Sequence, residues 1–244
     1  VTSFAVTPDG LSVVYLADQD VNEKFELYRT VFNTLANTKL NGLLGIAADV
    51  ADFKVVPNSS GVVYRADQNT DTVNELYRVA FSAPMVSARL NPGLPVGRTV
   101  SAQYAVAPDS GSVLYIADED GAGIDELFRV LFSNTGFSEK LHPDFSAGNN
   151  VTGFEVAPNS ASVVYVADQD IDGIFELYRT VIAGLVNSKL SGTITGNEDV
   201  TVFAMIPDGS GVVYIADQDT NDVFELYRTL FAGGKEKLNP ALVA

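Results

Sequence analysis

Apolar and polar residues alternate along this chain in short runs, and the runs recur. From Phe4 an apolar run ends at Pro8-Asp9-Gly10, and the next, Ser12 to Ala17, carries the β-branched and aromatic Val13, Val14 and Tyr15. Proline presets φ in such a turn and glycine accepts a positive φ. A polar stretch from Asp18 to Lys24 leads to a third run, Phe25 to Phe32; after Asn33 to Asn37 a short fourth carries Lys39 and Leu40. The period is two, not the three-and-four spacing of a helix: Phe25, Leu27, Arg29 and Val31 share one face, Glu26, Tyr28, Thr30 and Phe32 the other. This predicts one antiparallel four-stranded sheet, and because both faces are largely apolar or aromatic, each sheet is expected to be covered on both sides.

The whole pattern occurs five times. Pro8, Pro57, Pro108, Pro158 and Pro207 mark a period of about 50 residues, the range of propeller blades and solenoid units. Copies one and four agree at 22 of 37 positions between Phe4 and Leu40, which points to recent amplification or deliberate design. The predicted fold class is all-β, a five-bladed β-propeller in which each blade is a four-stranded antiparallel sheet. One domain is expected over residues 1–244, with blades near 1–48, 49–98, 99–148, 149–198 and 199–244. Ring closure is expected between the faces of blades one and five, with the Asn239-Pro240 tail over the seam.

The order apolar strand, Pro-Asp-Gly, Val-Val-Tyr, Ala-Asp-x-Asp, Leu-Tyr-Arg, Lys-Leu resembles the TolB-like (WD-like) β-propeller repeat, and the match covers all five copies. The chain departs from that repeat before the turn proline, where Thr7, Val56, Ala107, Ala157 and Ile206 stand in place of serine. The resemblance implies a propeller that binds protein partners, although such repeats also accompany peptidases, and it implies an extracytoplasmic location.

Charge and composition narrow the partners. A formal net charge of −16 disfavours nucleic acid, whose phosphates require clustered Lys and Arg. No run approaches 18 uninterrupted apolar residues, so no membrane partner is expected. The chain has no cysteine, which removes disulfides, thiolate metal sites and a cysteine nucleophile. Val1-Thr2-Ser3-Phe4 lacks the basic and apolar regions of a signal peptide, and the missing initiator methionine suggests a mature product or a segment of a longer chain.

Three sets of residues hold the candidate chemistry. Asp18, Asp67, Asp118, Asp168 and Asp217 recur in every copy, as do Arg29, Arg78, Arg129, Arg179 and Arg228, and Glu26, Glu75, Glu126, Glu176 and Glu225. A fivefold ligand ring is one reading of the arginines; the other, preferred here, is structural ion pairing of each Arg with the Asp of its hairpin or with an acid of the next blade. The recurring aromatics at Phe4 and Tyr15 are read as blade packing.

The hairpin after the second run is the second set. Asp168-Gln-Asp170-Ile-Asp172-Gly173, with Glu176 following, places oxygen donors at alternate positions as Ca²⁺ requires, whereas a metal-free turn uses the same residues as caps. The Asp118-Glu-Asp120-Gly121-Ala122-Gly123 hairpin is the poorest match. Apart from this Ca²⁺ possibility no cofactor is expected.

The third set lies where copies differ. Asp52, Lys54, Gln103 and Glu155 break the pattern of the first strands and are assigned to a ligand site at a channel mouth, under variable linkers 41–52, 91–103, 142–153 and 191–202. A protein or small ligand on this acidic loop face is the expected partner, and the chain is expected to be a monomer. It is read as a binding module or scaffold and not as an enzyme; the alternative is a glycosidase-like enzyme using Asp52 and Glu155 as its two carboxylates. His142, the lone histidine, is read as a surface loop residue.

Overall fold

The structure, a computed structural model, describes residues 1–119, 123–146, 148–194, 196, 198–240 and 242. Blade one comprises β1 (Ser3–Val6), β2 (Ser12–Ala17), β3 (Glu26–Val31) and β4 (Asn37–Lys39). Blade two has β5 (Val50–Val55), β6 (Gly61–Ala66), β7 (Glu75–Ala80) and β8 (Ala88–Arg89), and blade three β9 (Val100–Val106), β10 (Ser112–Ala117), β11 (Glu126–Leu131) and β12 (Glu139–Lys140). Blade four has β13 (Val151–Val156), β14 (Ser162–Ala167), β15 (Glu176–Val181) and β16 (Val186–Lys189). Blade five has β17 (Val200–Met205), β18 (Gly211–Ala216), β19 (Glu225–Leu230) and β20 (Lys235–Lys237). In every blade the strands pair in sequence order, so each is a simple antiparallel meander.

The turn between the first two strands explains the recurring proline motif. Asp9 Oδ1 accepts the amide of Leu11 at 3.0 Å, and Asn58, Asp109, Asn159 and Asp208 repeat the bond to Ser60, Gly111, Ala161 and Ser210. The following residue takes a left-handed φ, by glycine at Gly10 (69°) and Gly209 (74°) and by serine at Ser59, Ser110 and Ser160. Opposed Tyr15 and Tyr28 then stack at 5.6 Å on one face of the sheet, a pair repeated in blades two, four and five, with Tyr115 and a tilted Phe128 in blade three.

By compactness the chain divides into Val1–Ala122 with Phe128–Glu139, and Gly123–Leu127 with Lys140–Ala244. In the first unit, Val14, Leu16 and Leu27 of blade one pack on Val62, Tyr64, Tyr77 and Val79 of blade two, and a like core joins blades two and three. In the second, Val164, Val166 and Leu177 of blade four pack on Val212, Tyr214 and Tyr227 of blade five. Both faces of a sheet are thus buried wherever a neighbour stands, as their apolar content requires.

The linker between blades one and two is fastened at both ends, and parts of the pattern recur in the others. Asn41 Oδ1 accepts the Leu27 amide at 2.8 Å, and Asn91 repeats this with Leu76. Asn239 does the same to Leu226 at 2.7 Å, so the expected seam cover acts as a local cap. At the far end Asp49 accepts the Phe25 amide at 2.6 Å and donates its own amide to Asp67 at 2.7 Å; Asp199 connects Phe175 and Asp217 in the same way.

Candidate functional site

The hairpin aspartates and third-strand arginines do not meet. Val14 lies opposite Arg29, which places Asp18 four residues along the strand, about 13 Å away. The same register separates Asp67 from Arg78, Asp168 from Arg179 and Asp217 from Arg228. Three of the aspartates organise their loops instead: Asp67 Oδ2 accepts from Thr72, Asp168 Oδ2 from Gly173 and Asp217 Oδ2 from Asp222, at 2.8–3.0 Å. Asp118 pairs with Arg98 at 2.7 Å. The arginines turn to the neighbouring blade or to their own sheet. Arg29 and Arg179 donate Nε to Ser12 and Ser162 and stack on Phe81 and Phe231; Arg78 lies over Phe132; Arg129 and Arg228 pair with Glu139 and Glu236.

The recurring glutamates have a partner the sequence reading did not assign, the cation of the fourth strand. Lys39 is paired across the sheet with Tyr28 and lies 5.9 Å from its ring. From there Nζ reaches Glu26 and Asp20, each at 2.7 Å, while the Tyr28 hydroxyl donates to Glu26. Lys189 makes the same bridge between Asp170 (2.6 Å) and Glu176 (2.7 Å), and Lys237 between Asp219 and Glu225. Burial pushes the Lys189 ammonium down, but its bonds to the two carboxylates outweigh this and raise it overall. Blade two changes both partners together, with Asn69 in the place of Asp20 and Arg89 in the place of Lys39. That exchange is the sequence signal for the pairing.

The oxygen donors considered for Ca²⁺ are therefore already balanced. Asp168 holds its loop, and Asp170 and Glu176 share an ammonium; among the described residues no three His, Asp or Glu side chains converge on a metal position. Asp120, Gly121 and Ala122 of the third hairpin lie outside the described residues.

On the first strands Asp52 faces Arg65 across the β5–β6 pair, and Nη2 meets Oδ2 at 2.7 Å with Nε at 3.0 Å. Arg65 is the one charged residue in any second strand, and its Nη1 continues to the Val100 carbonyl of blade three. Beside them the buried Tyr104 replaces the phenylalanine of the other copies; burial and the Asp52 charge push its hydroxyl well above the usual tyrosine range. Lys54 Nζ sits 5.2 Å from the Tyr104 ring. Asp52 and Lys54 thus meet around Arg65, which the sequence reading passed over, and Tyr104, which it read with the other first-strand aromatics as blade packing. Gln103 is exposed in the widened bulge of β9, where Tyr104 opposes Tyr115 but Val100 opposes Ala117. Glu155 belongs to the second unit, where its Oε2 accepts the Met205 amide at 2.9 Å.

On the loop face of the first unit, Leu43 is 98% exposed and Ile46 fully so. Their backbone is held, for Lys24 Nζ donates to the carbonyls of Leu44 and Gly45 at 3.1 and 2.7 Å. Ile46 and Ala47 border a hollow of about 300 Å³ whose other wall is the hairpin Asp67–Asp71. His142, expected at the surface, is 8% exposed, with its ring 3.9 Å from that of Phe145.

No protein-family model matches the chain, and no curated protein does. Solved structures are similar in fold. One assigned as TolB from Agrobacterium tumefaciens matches at a TM-score of 0.53 and 15% identity, over 96% of this chain and 80% of that one. A puromycin-hydrolyzing peptidase from Mycobacterium tuberculosis matches at 0.60 and 14% identity, over 95% of this chain and 38% of the peptidase. The peptidase corrects the expectation that a chain of this architecture is no enzyme, since the same fold is found in one. No helix among the described residues is long and apolar enough to cross a membrane. Five consecutive four-stranded meanders, with the recurring turn and Leu-Tyr-Arg strand, identify the fold as a TolB-like five-bladed β-propeller.

Proposed function

We propose that the chain is a binding module that takes a protein segment through its linker-and-hairpin face, the segment bringing an apolar side chain next to a Lys or Arg. The observation that carries this reading is the exposure of Leu43 and Ile46 on a linker whose backbone is fixed. Apolar side chains held out in water on a rigid loop contribute most when a partner covers them. The adjacent wall supplies Asp67 and Asp71, and the net charge of −16 favours approach of a cationic segment.

The test is fluorescence anisotropy with two synthetic peptides, one alternating Leu and Lys and one alternating Leu and Glu. The cationic peptide binds, binding weakens with salt, and the L43S/I46S variant loses about tenfold or more in affinity, the scale of a lost interface anchor. Equal affinity of the variant, or equal binding of the two peptides, overturns the reading.

A further inference from the structure

The same slot between the first strands of consecutive blades occurs inside each unit, and it is filled in one and open in the other. Between blades two and three it holds the Asp52 and Arg65 pair; the guanidinium reaches on to the Val100 carbonyl at 3.3 Å, and Lys54 Nζ lies beside the Tyr104 ring. The strand registers carry this place over residue by residue to blades four and five. Gly153 opposes Val166 as Asp52 opposes Arg65, and Glu155 opposes Val164 as Lys54 opposes Val63. On the following blade Val200 opposes Ala216 as Val100 opposes Ala117, and Phe203 opposes Tyr214 as Tyr104 opposes Tyr115.

Between blades four and five nothing fills the place. The second-strand position reads Leu16, Arg65, Ile116, Val166 and Ile215 across the copies, so its smallest residue stands here, and Gly153 opposite adds no side chain. A hollow of about 200 Å³ remains, with walls that include Gly153, Val166, Val200, Thr201 and Phe203, all of the second unit. Its surroundings favour a cation. The strands β13, β14 and β17 contain no Lys or Arg, and Glu155 shares the face of Gly153, about 7 Å along the strand. Glu155 Oε2 accepts the Met205 amide at 2.9 Å, which leaves Oε1 without a partner among the described residues.

We propose that this hollow takes the arginine side chain of a partner segment. The guanidinium occupies the place that Arg65 fills in the first unit, donates to the Val200 carbonyl as Arg65 does to Val100, and pairs with Glu155 Oε1, while its stem covers Val166 and Phe203. A lysine ammonium lacks the planar fork, and a neutral side chain of the same shape leaves Glu155 uncompensated. Every residue invoked lies in blades four and five, so the site is independent of the reading built on Leu43 and Ile46.

The test is an NMR titration of the ¹⁵N-labelled chain with the capped tripeptide Gly-Arg-Gly and with its lysine and citrulline counterparts, citrulline being the uncharged match in shape. The arginine peptide shifts the Gly153 and Thr201 amides saturably with a Kd of about 1–10 mM, the range of a single anchoring side chain, and the other two bind at least about tenfold more weakly. The double substitution Gly153→Asp with Val166→Arg installs the pair that the chain already accommodates in blade two and abolishes the shifts. Glu155→Gln, which still accepts the Met205 amide, weakens the arginine peptide about threefold or more and serves if the double variant does not fold. No saturation below about 50 mM, equal binding of the lysine or citrulline peptide, or wild-type affinity in either folded variant overturns the proposal.

Discussion

Replacing His142 by asparagine tests how the last turn of each blade is built. In blades one, two and five an asparagine at this position accepts a leucine amide and donates to the following carbonyl. His142 keeps the donor half of that pattern, with Nδ1 2.7 Å from the Pro143 carbonyl, which leaves Nε2 buried without a partner. Burial, together with the nearby Lys140 charge, drives its pKa down to about 4. The unfolded chain titrates near about 6.5, so as pH falls it takes up the proton first and the folded state loses stability between the two values. The loss reaches about 2 kcal/mol at about pH 5 and about 3 kcal/mol below about pH 4. Above about pH 6.5 both states are neutral and the residue contributes no slope. The assay is urea unfolding of wild type and His142→Asn at several pH values from about 7.5 to about 5, a range above most carboxylate titrations. The expected result is a fall in the wild type and a flat profile in the variant. A wild-type stability at about pH 5 within about 0.5 kcal/mol of that at about pH 7, or the same slope in the variant, refutes the reasoning.

Two further outcomes follow from the ion pairs. Lys189→Met strands the buried Glu176 beside Asp170 and costs about 2 kcal/mol in chemical denaturation, less than a fully buried pair because the lysine is one-third exposed. Millimolar Ca²⁺ added after chelation leaves the wild-type Tm unchanged and raises that of this variant, where two carboxylates have lost their cation; a wild-type rise shows that the ammonium does not occupy the cation position. Arg65→Leu, which installs the residue of blade one, costs about 1–2 kcal/mol by exposing Asp52 unpaired beside Tyr104, and Asp52→Ser on that background recovers about 1 kcal/mol; strict additivity in the double-mutant cycle means the pair is not coupled.

The sheets were legible because a strand's period of two and the Pro-Asp-Gly turn are local, and local signals survive in a single sequence. The partner of Arg29 was not legible, because whether it reaches Asp18 or Phe81 depends on pairing register and on which face meets the next blade. The lysine bridge could have been found by comparing copies, since Asn69 and Arg89 change together. Arg65 was also visible as a departure, but it sits in the second strands, whose uniformity drew attention to the more divergent first strands; Tyr104 lies in a first strand at a position that is aromatic in every copy, so it looked like packing. Asp52 and Glu155 looked free because sequence shows what differs and not what stands opposite: a guanidinium for one, a backbone amide for the other.

The fastening of the linker at both ends has a use in engineering. Asn41 and Asp49 fix the exit and re-entry of the chain, so the segment between them bears little of the strain of joining blades one and two. Lengthening it adds closure entropy that grows only logarithmically, about 0.6 kcal/mol per doubling. Gly42 to Ala47 is thus a graft position, where a foreign recognition sequence is displayed in place of Leu43 and Ile46 while the strand register beneath stays as it is.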